Sequence, residues 1–121
     1  MKGFGAGPKS NKKKESKRES HPDKEEVINQ AFTLHSQGKI AEASRYYEYC
    51  INHDFNDHRV FCNYGVLLKS LGKFKESEKS YRKAIELNPN FADSHSNLGN
   101  LLKDLFKLKE AELSMRKAIE L

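Results

Sequence analysis

Between residues 58 and 87 large apolar side chains recur three or four positions apart: Phe61, Tyr64, Leu68 and Leu71, then, past Gly72-Lys73, Phe74, Tyr81, Ala84 and Ile85. That spacing follows one face of a helix rather than the alternation of a strand, so the segment predicts two amphipathic helices parted by a glycine turn. The pattern then returns. RKAIEL stands at 82–87 and again at 116–121, an offset of 116 − 82 = 34 residues, and at that offset residues 58–87 and 92–121 agree at 17 of 30 positions. The agreement includes NxGxLLK at 63–69 and 97–103. A weaker copy begins near Lys24, where HPDKEE sets Pro22 and three acids at a helix start, and keeps Asn29, Leu34, Gly38, Lys39, Glu42, Tyr47 and Ile51 in register.

A helical pattern that repeats every 34 residues predicts stacked helix-turn-helix units, each unable to bury its apolar face alone. Small residues recur where paired helices must approach closely. They are Ala31, Gly65 and Gly99 on the first helix of each unit, Ala43, Ser77 and Ala111 on the second, and Cys50, Ala84 and Ala118 near its end.

Those positions carry a resemblance. Tyr64-Gly65, Leu68, Gly72, Phe74, Ser77, Tyr81, Ala84 and Pro89, followed by Leu98-Gly99, Leu102, Leu108, Ala111, Met115 and Ala118, resemble the tetratricopeptide repeat. The resemblance covers about residues 24–121 and implies an all-α solenoid, a right-handed superhelix of about three repeats at 24–57, 58–91 and 92–121, the last incomplete. The departures are specific. Val27, Phe61 and His95 stand where the first aromatic is usually Trp, Phe55 where the first repeat would carry Pro, and Phe106 where the third would carry Gly.

Composition narrows the picture. With 32% charged and 36% hydrophobic residues the core must be thin, and no apolar run approaches a membrane span or a signal-peptide core, so the expected location is cytoplasmic. Cys50 and Cys62 lack the spacing of a zinc site and predict reduced, half-buried thiols. The net charge of +5 sits wholly in residues 1–22, which hold seven Lys or Arg and two Glu. Residues 1–20, with Phe4 as their only large apolar side chain, predict a disordered basic tail. KKKESKR could touch nucleic acid or an anionic membrane, but it is short, diluted by glutamate and free of aromatics, which favours a solvating leader.

One residue type is out of place. Asparagine is a poor helix former, yet Asn29, Asn63 and Asn97 occupy the same position in the first helix of each repeat. The resemblance implies that first helices line the concave face, where these carboxamides would form a ladder beside the apolar seam of Leu34, Leu68 and Leu102. A carboxamide can pair with both the C=O and the N–H of a passing peptide unit, whatever its side chain. The stretch FADSHSNLGNLLKD, residues 91–104, is similar to the repeats of the superhelical O-linked N-acetylglucosamine transferases, where such a ladder grips the substrate backbone. Asn is also common at this position in generic repeats, where it can bond within the array.

Helical geometry adds neighbours one before, three after and six after each Asn: Ile28, Phe32 and His35; Cys62, Val66 and Lys69; Ser96, Asn100 and Lys103. The expected groove runs from apolar to polar and basic, which suits a peptide with an acidic end. The chaperone-tail version of the fold would need Lys and Asn where Ile28 and Phe32 stand, which argues against a heat-shock chaperone tail as ligand.

No phosphate-binding glycine loop, nucleophile elbow or paired carboxylates in an apolar setting appears, and His58 with Cys62, one turn apart, lacks a second pair to complete a metal site. The expectation is an interaction module binding a protein or peptide, without cofactor and not an enzyme by itself, or else the N-terminal substrate-recognition part of a larger protein glycosyltransferase or other modifying enzyme. The apolar edge of Leu108, Ala111, Met115, Ala118 and Ile119 further predicts either a continuing array or an edge that meets a copy of itself or another partner.

Overall fold

The computed structural model describes residues 23–120; the tail expected to be disordered lies outside them. Among the described residues the chain is helical throughout: α1 (Lys24–Ser36), α2 (Ile40–Asn52), α3 (His58–Ser70), α4 (Phe74–Leu87) and α5 (Ala92–Glu120). Two helical hairpins, α1/α2 and α3/α4, stack so that α1 touches α3 and α3 touches α5, while α4 packs against both α3 and α5. This is the expected repeat solenoid.

Each hairpin turns on a glycine. Gly38 and Gly72 have φ of 78° and 79°, a left-handed conformation that costs other L-residues about 1–2 kcal/mol. With that conformation the Lys39 N–H reaches back to the Leu34 carbonyl and the Gly38 N–H to that of His35, and Lys73 and Gly72 repeat the pattern on Leu68 and Lys69. In both hairpins this is a Schellman closure, which satisfies carbonyls that the helix end would leave bare.

The third unit departs from the expected helix-turn-helix. Phe106 stands at the position of Gly38 and Gly72 and cannot adopt that conformation cheaply, so the helix runs straight through it for 29 residues, about 43 Å. Residues 106–120 are all solvent-exposed, and Leu102, expected in the seam with buried Leu34 and Leu68, is 39% exposed.

The core follows the hairpins. Val27, Ile28, Ala31, Leu34, Ala43, Tyr47, Cys50, Val60 and Leu67 form one cluster, and Tyr81, Leu98 and Leu101 a second. Small residues permit the closest approach: a Cβ on Gly65 would lie 2.5 Å from Tyr81 Cε1. Beside it the Ser77 hydroxyl donates to the Gly65 carbonyl, and the Ser80 hydroxyl to that of Phe61, both at 2.6 Å. The hydroxyls thereby bury without an unmet donor.

The junction between the first two hairpins has a polar fastener. Asp57 caps α3 by accepting from the Arg59 N–H at 2.9 Å, and the Arg59 guanidinium binds Asp57 at 2.7 Å and Glu25, 34 residues earlier, at 3.2 Å. Hydrogen bonds from Arg59 hold the Asp57 carboxyl below the usual carboxylate range, and Asp57 in turn raises the Arg59 pKa. Arg59 also lies over the Phe32 ring at 5.8 Å. Among the described residues no helix is long and apolar enough to cross a membrane.

Candidate peptide-binding face

The ladder asparagines lie on α1, α3 and α5, the layer in which successive helices touch. Their repeat position falls next to the seam rather than in it, and none is buried: Asn29 is exposed, Asn63 and Asn97 half-buried. Asn97 spends one amide donor within the array, from Nδ2 to the Cys62 sulfur at 3.6 Å. The ladder is therefore partly tied down at its third rung and open at its first.

The neighbours divide. Phe32 is half-buried, its ring 6.3 Å from that of Tyr47. Val66 is 37% exposed, and Asn100 and Lys103 are exposed. Lys69 is half-buried and paired with Asp104 of α5 at 3.1 Å. Ile28 and Cys62 do not line a groove: at 0% and 3% exposure they belong to the packed interior. The position before each Asn is rotated by about 100° around the helix, which in α1 and α3 carries it into the seam with the neighbouring helix.

A cleft of about 690 Å³ opens between α3, α4 and α5, lined by Val66, Lys69, Ser70, Phe74, Asp104, Lys107 and Leu108. It unites two of the sequence candidates, Val66 and Lys69, with Asp104 and Lys107, which sequence reasoning did not single out. The signal was faint: Asp104 stands 35 residues after Lys69 with opposite charge, one position off the repeat. A smaller cleft of about 320 Å³ between α2, α3 and α4 contains none of the candidates.

Titratable groups elsewhere are structural in setting. Burial lowers the His35 pKa, and His35 Nδ1 forms a hydrogen bond with the Tyr47 hydroxyl at 2.8 Å. Burial raises the Tyr47 phenol and the Cys50 thiol. His58 pairs with Asn88 and packs on Phe91 rather than joining Cys62, and among the described residues no three His, Cys, Asp or Glu side chains are grouped to hold a metal ion.

Comparison with known proteins agrees with the architecture. A family model described as TPR repeat matches residues 65–105, and one described as Tetratricopeptide repeat matches residues 92–121. None of the curated proteins matches significantly. Among solved structures, the second TPR of Spaghetti (RPAP3), bound to the HSP90 peptide SRMEEVD, is similar with a TM-score of 0.64 and 22% identity. That likeness covers 77% of this chain and 86% of the other. Tetratricopeptide repeats are thus detected through the second half of the chain, and the hairpin α1/α2 before them closes in the same manner as α3/α4.

Proposed function

We propose that the chain is a protein-interaction module that holds an extended peptide along the face bearing Asn29, Asn63 and Asn97. The observation that carries this reading is the repeat-equivalent placement of three helix-disfavouring carboxamides on contacting helices, all of them outside the core. Phe32 and Val66 would offer apolar contact at one end, and Asn100, Lys69 and Lys103 polar and basic contact at the other, so that an acidic peptide end competes with Asp104 for Lys69. Three neutral hydrogen-bonding sites at about 0.5–1.5 kcal/mol each amount to a few kcal/mol, roughly a millimolar grip before side-chain contacts are added.

The related peptide-bound structure supports peptide capture as a use of this architecture, though not the same ligand. Ile28 and Phe32 replace the cation and carboxamide that a chaperone tail would need, and Ile28 is wholly buried. The similarity of residues 91–104 to the repeats of O-linked N-acetylglucosamine transferases supports a second setting for the same grip: substrate recognition within a larger glycosyltransferase, in the cytoplasm. A catalytic domain encoded downstream of residue 121 would decide for it.

The test is fluorescence anisotropy against a labelled pool of unstructured peptides with acidic C-terminal ends. Asn63→Ala combined with Asn97→Ala is expected to weaken binding about tenfold or more while moving stability by less than about 1 kcal/mol. A collapse of the melt would make the ladder architectural, and unchanged binding with an unchanged melt would remove it from the site.

A further inference from the structure

The third copy departs from the second at two positions that act together. Phe106 replaces the turn residue Gly72, and Leu113 replaces Lys79, whose first-copy counterpart is Arg45. On a straight α5 these two large apolar side chains join Leu102, the third-copy member of the seam, within about 40° of one another around the helix. Gly99 borders the same stripe, about 20° beyond Phe106. The stripe is bare: Leu102 is 39% exposed, Phe106 and Leu113 are each 65% exposed, and a Cβ on Gly99 would meet nothing within 4 Å. One repeat earlier the same seat is filled by α4, whose Tyr81 lies on Gly65 while Leu68 is buried.

We infer that a second copy of this chain takes that seat, its α5 lying antiparallel along the stripe as α4 lies along α3. The spacing is symmetric. Gly99, Phe106 and Leu113 are seven residues apart, and Phe106 is the middle residue of Ala92–Glu120. A two-fold axis at Phe106 therefore sets each Phe106 against the other, places each Leu113 over the other copy's Gly99 and overlaps the two helices along their whole length. Each Leu102 then drops among Phe106, Lys109, Glu110 and Leu113 of the other copy, a knob in a four-residue hole. The flanks agree in charge. Because the two-fold brings the same side of both helices together, exposed Glu110 comes beside exposed Lys103 of the other copy, twice. Met115 lies about 180° round the helix from Phe106 and takes no part. The ladder face stays open, because Asn97 lies about 160° round α5 from Leu113. Of the groove candidates only Lys103, between the two faces, is drawn into the contact.

The experiment uses the full chain. Sedimentation from about 1 to 100 µM is expected to show a species of twice the 13.9 kDa chain mass. Leu113→Lys, which restores the second-copy residue at an exposed position, is expected to weaken association at least about tenfold with helix content unchanged, and Met115→Ser to leave association as it was. Glu110→Lys should weaken it, and adding Lys103→Glu should bring it back. One chain carrying Gly99→Cys and another carrying Leu113→Cys, mixed and oxidised, should link to each other faster than either links to itself, since Cys50 and Cys62 are buried. A monomer across that range, a dimer indifferent to Leu113→Lys, a dimer lost with Met115→Ser, or cysteines that link no faster between the two chains would overturn the pairing. Should Leu113→Lys lose its helix, the charge swap between Glu110 and Lys103 decides in its place.

Discussion

Helix α4 and the distal half of α5 share the sequence RKAIE and half of the helical positions before it, yet one is a packed wall and the other a bare rod. Tyr81 is 1% exposed and its equivalent Met115 68%; Ala84 is buried and Ala118 exposed; Ile119 reaches 83% while Ile85 is half-buried. Local propensity cannot explain the difference, because both segments are helical. The residue before them does: Gly72 folds α4 back onto α3, and Phe106 keeps α5 straight. One backbone conformation at one residue decides whether a whole amphipathic face is used.

The comparison can be broken in order of effect. Tyr81→Ala should cost about 3–5 kcal/mol of stability, as for other large core truncations, whereas Met115→Ala, at an exposed position, should change it by no more than about 0.5 kcal/mol. Chemical denaturation separates them. Gly65→Ala drives a methyl into the Tyr81 ring and should destabilise by about 1–3 kcal/mol, while Gly99→Ala, with open space around it, should raise helix stability in dilute solution by up to about 1 kcal/mol. Gly72→Ala should cost about 1–2 kcal/mol in thermal melts, because a Cβ is strained at φ of 79°.

The smallest effect belongs to the first copy, where His35 occupies the position of Lys69 and Lys103 and bonds Tyr47, the equivalent of Tyr81. Burial holds the folded His35 pKa below its unfolded value of 6.5. The unfolded chain therefore takes up the proton first as pH falls, and stability present above 6.5 declines as pH drops below it toward the folded value. Melts between about pH 7.5 and about pH 5.5 should slope more steeply for the native chain than for His35→Gln.

Much of this was legible in sequence, because helical spacing and a 34-residue period report directly on local geometry. The turn glycines and the small residues at Gly65 and Ser77 follow from backbone needs that particular residue types meet. The substitution of Phe106 for glycine was visible too, but its reach was not: a repeat pattern fixes which face of a helix is apolar, not whether anything covers it. The site was read less well. A step of one residue around a helix moved Ile28 and Cys62 from the expected groove into the interior, and the bonds of Asn97 to Cys62 and of Lys69 to Asp104 depend on how far adjacent helices rotate about one another. That rotation is set by packing across repeats, which no single periodicity encodes.

The Arg59 clasp has a consequence for how the array comes apart. Braced by Asp57, it crosses the first junction to a carboxylate and an aromatic ring, whereas the second junction rests on the apolar cluster of Tyr81, Leu98 and Leu101, with one amide-to-sulfur contact and one ion pair beside it. In a stack whose units touch only their neighbours, the stretch with the fewest packed neighbours opens first, so fraying starts in the exposed residues 106–120 of α5 and the clasped end comes apart later, like a zip drawn from one end.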